Sequence, residues 1–179
     1  DPSTYSSNPH NMFNVGGTLI FAATTSAGDR LFKSDGTDEG TTPISPVVPA
    51  AGNGLSYTAA AATRNLLYYV GNDGAYGAEL WRSDGTVEGT YRITDIRHGP
   101  ASSMASTYAL ATLGDSCLFL ADAGDGDGPR LWISDGSEAG THRVTATGPT
   151  FSGDARFKRA GDVLYCVDAS GFLWRSDGT

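Results

Sequence analysis

The sequence predicts an all-β fold made of small antiparallel sheets, and three observations carry that expectation. Glycine is abundant, at 24 of 179 residues, where average usage would give about 13. Hydrophobic residues make up 39 % and aromatic residues 10 %, which is too apolar for a disordered chain. One motif also recurs four times along nearly the whole chain. Its copies are Leu31-Phe32-Lys33-Ser34-Asp35-Gly36-Thr37, Leu80-Trp81-Arg82-Ser83-Asp84-Gly85-Thr86, Leu131-Trp132-Ile133-Ser134-Asp135-Gly136-Ser137 and Leu173-Trp174-Arg175-Ser176-Asp177-Gly178-Thr179. The first three run on to Gly40-Thr41, Gly89-Thr90 and Gly140-Thr141.

Each repeat reads as four short strands in order. The first strand ends at a turn, Gly16-Gly17, Arg64-Asn65, Gly114-Asp115 or Gly161-Asp162, with residues that tolerate the positive φ of a tight hairpin. The second strand is apolar: Leu19-Ile20-Phe21, Leu67-Tyr68-Tyr69, Cys117-Leu118-Phe119 and Leu164-Tyr165-Cys166. The third is the Leu-Trp strand, closed by the Ser-Asp-Gly-Thr turn. The fourth follows the Gly-Thr pair, as in Thr90-Tyr91-Arg92-Ile93-Thr94. Ala59 to Ala62 fills a first-strand slot, and no stretch holds a helical period.

A four-stranded unit repeating about every 40–50 residues is the signature of a β-propeller blade. One small sheet cannot bury both faces, whereas sheets stacked around an axis can. The expected fold is a β-propeller of about four blades, or an arc of a larger one. Its blades span about 8–48, 54–97, 103–147 and 152–179, the last incomplete, with 1–7 ahead of them. The motif, closest in Glu79-Leu80-Trp81-Arg82-Ser83-Asp84-Gly85-Thr86, resembles the ELWxxDGT repeats found in tandem in large bacterial secreted and surface proteins. The resemblance implies an extracellular propeller-type repeat protein and no reaction. Departures are Arg30, Arg130 and Phe172 in place of Glu, and Phe32 in place of Trp. These are expected to alter surface and packing but not the turn.

Composition narrows the functional classes. With 12 Lys and Arg against 20 Asp and Glu, the net charge is -8, and such a surface repels polyanions, which argues against nucleic acid. The longest clean apolar run is Leu66 to Val70, far short of the ~20 residues of a membrane helix. The chain begins at Asp1 without Met, which suggests processing or a piece of a longer protein. Cys117 and Cys166 lie at odd offsets from their turn glycines, so both leave the same face of their blades. Adjacent blades present opposite faces, so two buried thiols are favoured over a bridge.

Among candidate sites, the repeated turns Asp35-Gly36, Asp84-Gly85, Asp135-Gly136 and Asp177-Gly178 read as structural. Asp accepts backbone N–H groups in tight turns, Gly supplies positive φ, and hydroxyls add weaker versions. Phe32, Trp81, Trp132 and Trp174 read as inter-blade core, with a repeated sugar-stacking platform as the lesser reading. Asp122, Asp125 and Asp127 resemble the start of a calcium loop, but the downstream bidentate Glu is missing. A solvated hairpin tip is the favoured reading, and calcium is the only cofactor considered. His10, His98 and His142 have no metal or triad spacing.

These readings favour a non-catalytic extracellular structural or assembly module, with a filament building block working by strand exchange as one form of it. The alternative is a carbohydrate-binding, lectin-like adhesion propeller. Expected partners are other copies of the chain or a larger parent protein, and glycans under the alternative. Ser/Thr-rich loops such as Ser3 to Ser7 suit O-linked sugars on composition alone. The fourth repeat stops at Thr179, before the strand that would cover its third strand, and open edges recruit other strands. Ser3, Thr4 and Tyr5 are therefore candidates for a strap or donor strand. Deleting residues 1–7 is expected to abolish polymers and leave a folded, strand-rich monomer. An unfolded product would make the strap intramolecular.

Overall fold

The computed structural model describes residues 7–26, 28–45, 56–104, 110–144, 148–152 and 155–178, with the side chains of 56–58 left out. Four antiparallel sheets follow one another along the chain. The first blade runs β1 (His10–Val15), β2 (Thr18–Thr25), β3 (Gly28–Ser34), β4 (Thr42–Pro43). The second runs β5 (Ser56–Ala62), β6 (Leu67–Asn72), β7 (Ala78–Ser83), β8 (Tyr91–Arg92). The third runs β9 (Leu110–Leu113), β10 (Ser116–Ala121), β11 (Arg130–Ser134), β12 (His142–Arg143). The fourth has three strands, β13 (Lys158–Ala160), β14 (Val163–Val167) and β15 (Leu173–Ser176). Every strand pairs with its sequence neighbour, the up-and-down order of propeller blades.

The repeat fixes the local structure. At Gly16 and Gly17, φ is +59° and +87°, the backbone of a two-residue primed hairpin that a Cβ would strain. Register then aligns equivalent pairs across blades: Phe21 with Phe32, Tyr69 with Trp81, Phe119 with Trp132, and Cys166 with Trp174. The fourth strands are shorter than the sequence suggests, two paired residues each. Each is extended by one further bond, from the N–H of Ile44, Ile93 or Val144 to the carbonyl of Leu31, Leu80 or Leu131.

Packing follows from strand alternation, which sends neighbouring side chains to opposite faces. Ile20, Ala22, Leu31 and Ile44 of the first blade meet Leu67, Tyr69 and Trp81 of the second. Tyr68, Val70, Leu80 and Ile93 of the second meet Cys117 and Phe119 of the third, with Trp132 packed alongside. Leu118 and Leu120 of the third meet Leu164 and Cys166 of the fourth. No hydrophobic cluster among the described residues joins the fourth blade to the first. Both cysteines are free and buried in different inter-blade layers, as the parity argument requires.

The aromatic expectation holds for Trp81 and only in part for Trp132 and Phe32. Trp81 is 8 % exposed, between the first two blades. Trp132 is half-buried, with its ring 6.4 Å from that of Phe119. Phe32 stacks on Phe21 at 5.7 Å and is also half-buried. Trp174 corrects the expectation, being 43 % exposed. It sits on β15, which has no fourth-strand partner among the described residues.

Burial rather than residue type should therefore set the cost of truncation. Phe119→Ala is expected to lower unfolding free energy by about 3–5 kcal/mol. Phe21→Ala, at the same register in the first blade, should cost only about 1 kcal/mol. Urea titration of both variants checks the contrast, and equal losses would contradict it.

Candidate functional site

The repeated motif forms a closed hydrogen-bond lock. In the first blade, Asp35 Oδ1 accepts the backbone N–H of Thr37 at 2.9 Å and its hydroxyl at 2.8 Å. The Thr37 Oγ1 in turn accepts the N–H of Gly40 at 2.9 Å. Thr41 donates its hydroxyl to the carbonyl of Thr37 at 2.6 Å. A hydroxyl has one proton, so Ser34 must be the donor in its 2.7 Å contact with Thr41, while its oxygen accepts the N–H of Gly36. The same set recurs around Asp84 with Ser83, Thr86 and Thr90. It recurs again around Asp135 with Ser134, Ser137 and Thr141. In the fourth blade the described part is the bond from Gly178 N–H to Ser176 Oγ, beside Asp177.

The lock explains the glycine of the Gly-Thr pair. A Cβ on Gly40, Gly89 or Gly140 would lie 1.9–2.4 Å from the carboxylate of Asp35, Asp84 or Asp135. The carboxylate thus rests on a bare Cα, and the fourth strand starts there. The electrostatics agree. The Thr37 N–H and hydroxyl hold Asp35 below the usual carboxylate range, and the Ser137 hydroxyl and N–H do the same for Asp135. For Asp84, burial pushes upward but the Thr86 bonds and Arg82 outweigh it. The turns also touch the preceding blade. The Gly136 carbonyl accepts a bond from the Arg82 guanidinium at 3.2 Å, and Gly178 faces Leu113 and Ile133.

Sequence reading missed the role of the position before each Leu-Trp strand. Glu79 is fully buried and accepts four bonds: Ile96 N–H at 3.2 Å, Arg97 N–H at 3.4 Å, Ser103 N–H at 3.2 Å and Ser103 hydroxyl at 2.6 Å. It anchors the segment leading to the third blade. Arg30 holds the equivalent segment of its own blade with inverted polarity, donating to the Ser45 carbonyl at 2.8 Å. Arg130 donates likewise to the Gly148 carbonyl. These departures from Glu are more than changes of surface; they swap acceptor for donor on the same segment. Phe172 has neither role and is exposed. Burial pushes the Glu79 carboxyl above its ordinary value, against the lowering effect of its four donors.

The aspartates of the 122–128 hairpin are spread over three arginines. Arg143 pairs with Asp125 and, at 3.3 Å, with Asp127. Arg130 lies 3.7 Å from Asp127, and Arg97 lies 3.6 Å from Asp122. Asp125 is held low by the Asp127 N–H and by Arg143. No group of three or more His, Cys, Asp or Glu side chains among the described residues is arranged to hold a metal ion. Ser3, Thr4 and Tyr5 lie outside the described residues. A cleft of about 370 Å³ opens beside β15, lined by Leu131, Val144, Phe151, Cys166, Trp174 and Arg175 among others.

No family model matches the chain, and no curated protein matches it in sequence. Among solved structures, it resembles a chain of a nidogen–laminin complex at 10 % identity and TM-score 0.51, over 97 % of this chain and 62 % of that one. It resembles puromycin hydrolase at 15 % identity and TM-score 0.50, over 93 % and 24 %. TolB from Acinetobacter baumannii matches at 14 % identity and TM-score 0.49, over 94 % and 43 %. The chain thus spans less than two thirds of each of these. The likeness establishes the β-propeller fold and no activity. No helix among the described residues is long and apolar enough to cross a membrane.

Two substitutions test the lock and the anchor. Gly89→Ala should destabilise the chain by about 1–3 kcal/mol, read as a lowered urea midpoint. Glu79 should show in the pH dependence. A carboxyl whose folded pKa is raised keeps its proton where the unfolded chain has lost it, so its stabilisation is largest in acid and falls as pH rises. The stability of the wild type relative to Glu79→Gln should therefore decline from the usual glutamate range up to the raised value. An advantage that grows with pH would contradict this placement.

Proposed function

We propose that this chain is a non-catalytic structural module of an extracellular assembly that associates through the exposed apolar faces of its first and fourth blades. One observation carries the reading. Leu80 is fully buried by the third blade, while its equivalent Leu173 is 69 % exposed. Val167, beside it on β14, is exposed as well. At the other end, Leu19 is 38 % exposed, whereas its equivalent Leu67 is fully buried by the first blade. Among the described residues, the first and fourth blades therefore present side chains that the second and third blades bury, and bare apolar surface marks interaction sites.

A non-catalytic role is supported by how the reactive groups are used. The serine and threonine hydroxyls of the turns are committed to the lock, and Glu79 is tied to main-chain N–H groups. The likeness to puromycin hydrolase covers 24 % of that chain, and at such identity fold does not carry function. The extracellular setting rests on the resemblance of the Glu79 to Thr86 motif to repeats of secreted proteins. The lectin-like alternative is weakened because Trp81 is covered and Trp132 lies under Arg143, at 5.6 Å. No sugar platform then recurs in every blade.

Analytical ultracentrifugation across a wide concentration range tests the proposal. The chain should self-associate, and Leu173→Asp should shift it toward monomer without loss of strand content. A chain that stays monomeric throughout, and so recruits no copy of itself, would argue against assembly.

A further inference from the structure

Seven Asp-Gly pairs lie along the chain, at Asp35, Asp73, Asp84, Asp125, Asp127, Asp135 and Asp177. Such a bond is chemically fragile, because glycine has no side chain to keep its nitrogen away from the neighbouring carboxyl. The nitrogen attacks the aspartate Cγ and a C–N bond forms, while the carboxyl hydroxyl leaves with the N–H proton as water. The five-membered imide then takes up water at its α-carbonyl carbon, and the original peptide bond breaks. The main chain now runs through the aspartate side chain, one methylene longer and with no net change of mass. The reaction needs a glycine N–H free of other bonds and a carboxyl in its neutral form. Water is its only co-reactant.

At five of the seven pairs the glycine N–H is engaged. Gly36, Gly85, Gly136 and Gly178 donate it to Ser34, Ser83, Ser134 and Ser176 at 3.0–3.2 Å. Gly74 donates to Asn72 Oδ1 at 2.8 Å. The lock turns also keep the carboxyl ionised. Burial pushes Asp84 upward but the Thr86 bonds keep it low, as the Thr37 bonds do for Asp35 and the Ser137 bonds for Asp135. Each of these three carboxylates is further pinned over Gly40, Gly89 or Gly140.

The hairpin between β10 and β11 differs. Among the described residues, nothing accepts the N–H of Gly126 or Gly128. Asp125 uses both of its oxygens, Oδ1 accepting the Asp127 N–H at 3.1 Å and Oδ2 meeting Arg143. These two groups hold its carboxyl low. Asp127 is engaged through Oδ2, 3.3 Å from Arg143 and 3.7 Å from Arg130, and its side chain is 48 % exposed. Nothing lies within 4 Å of where a Gly128 Cβ would stand, so no packed neighbour holds the bond in place. We propose that Asp127-Gly128 is a site of spontaneous backbone isomerisation, the Gly128 nitrogen attacking Asp127 Cγ, and that the repeated lock shelters the Asp-Gly bonds of its own turns. The product displaces the Asp127 carboxylate from between Arg130 and Arg143. This chemistry is independent of the assembly reading.

Ageing the full chain for weeks near neutral pH tests the inference, with peptide mapping by electron-transfer fragmentation to tell isoaspartate from aspartate. In the folded chain, isoaspartate should accumulate at Asp127 about tenfold or more faster than at Asp84 or Asp135, a factor that a modest loss of the neutral carboxyl form already supplies. In urea, where the lock is undone, the three sites should react at similar rates. Ser83→Ala frees the Gly85 N–H and should speed the reaction at Asp84 while leaving Asp127 unchanged. If that variant fails to fold, the comparison of folded and urea-treated wild type decides alone. Equal rates at Asp127 and Asp84 in the folded chain overturn the inference. So does isoaspartate that forms at Asp127 only in urea, or that forms faster at Asp125 than at Asp127.

Discussion

Each sheet in this chain has two apolar faces and cannot cover either one alone. That constraint organises the structure. Strand alternation places Tyr68 and Val70 on one face of β6 and Leu67 and Tyr69 on the other, and both sets are buried against different neighbours. A blade is therefore stable only in a stack, as for other architectures in which each unit depends on its neighbours. The same constraint accounts for the ends. Leu19 and Leu173 occupy interface positions and remain exposed because no described neighbour covers them.

The turn lock and the linker anchors hold the stack's pieces in register. The lock ties the end of each third strand to the start of the fourth through a hydroxyl relay that ends on a backbone carbonyl, while the hydroxyl of that same residue donates to the aspartate carboxylate. The carboxylate needs a glycine beneath it, so aspartate and glycine five residues apart act as one unit. The anchors serve the other end of the third strand, with Glu79 accepting main-chain N–H groups and Arg30 and Arg130 donating to carbonyls. Buried main-chain groups must be satisfied, and either polarity does so.

Charge plays two parts here. The lock aspartates are depressed by fixed donors and stabilise the fold once ionised, whereas Glu79 is raised by burial and is costlier when ionised. In the second and third blades, the fourth-strand arginines Arg92 and Arg143 pair with hairpin aspartates, so the acidic excess of the sequence is locally compensated there. In the fourth blade, Asp168 has the indole of Trp174 and main-chain N–H groups in that role.

The sequence by itself determined the repeat, the four-stranded blade, the structural nature of the Asp-Gly turns and the separation of the two cysteines. All of these follow from local chemistry or strand parity, which a motif of fixed spacing records. It did not reveal that Trp174 is exposed while Trp81 is buried, because the two lie in nearly identical motifs and only their neighbours differ. It also missed Glu79, Arg30 and Arg130 as linker anchors, since their partners lie 15 to 24 residues away and depend on where the segment returns. The dispersal of Asp122, Asp125 and Asp127 over Arg97, Arg130 and Arg143 was hidden for the same reason. Periodicity is written into the chain, but burial and charge pairing depend on which elements meet, and the tertiary structure alone decides that.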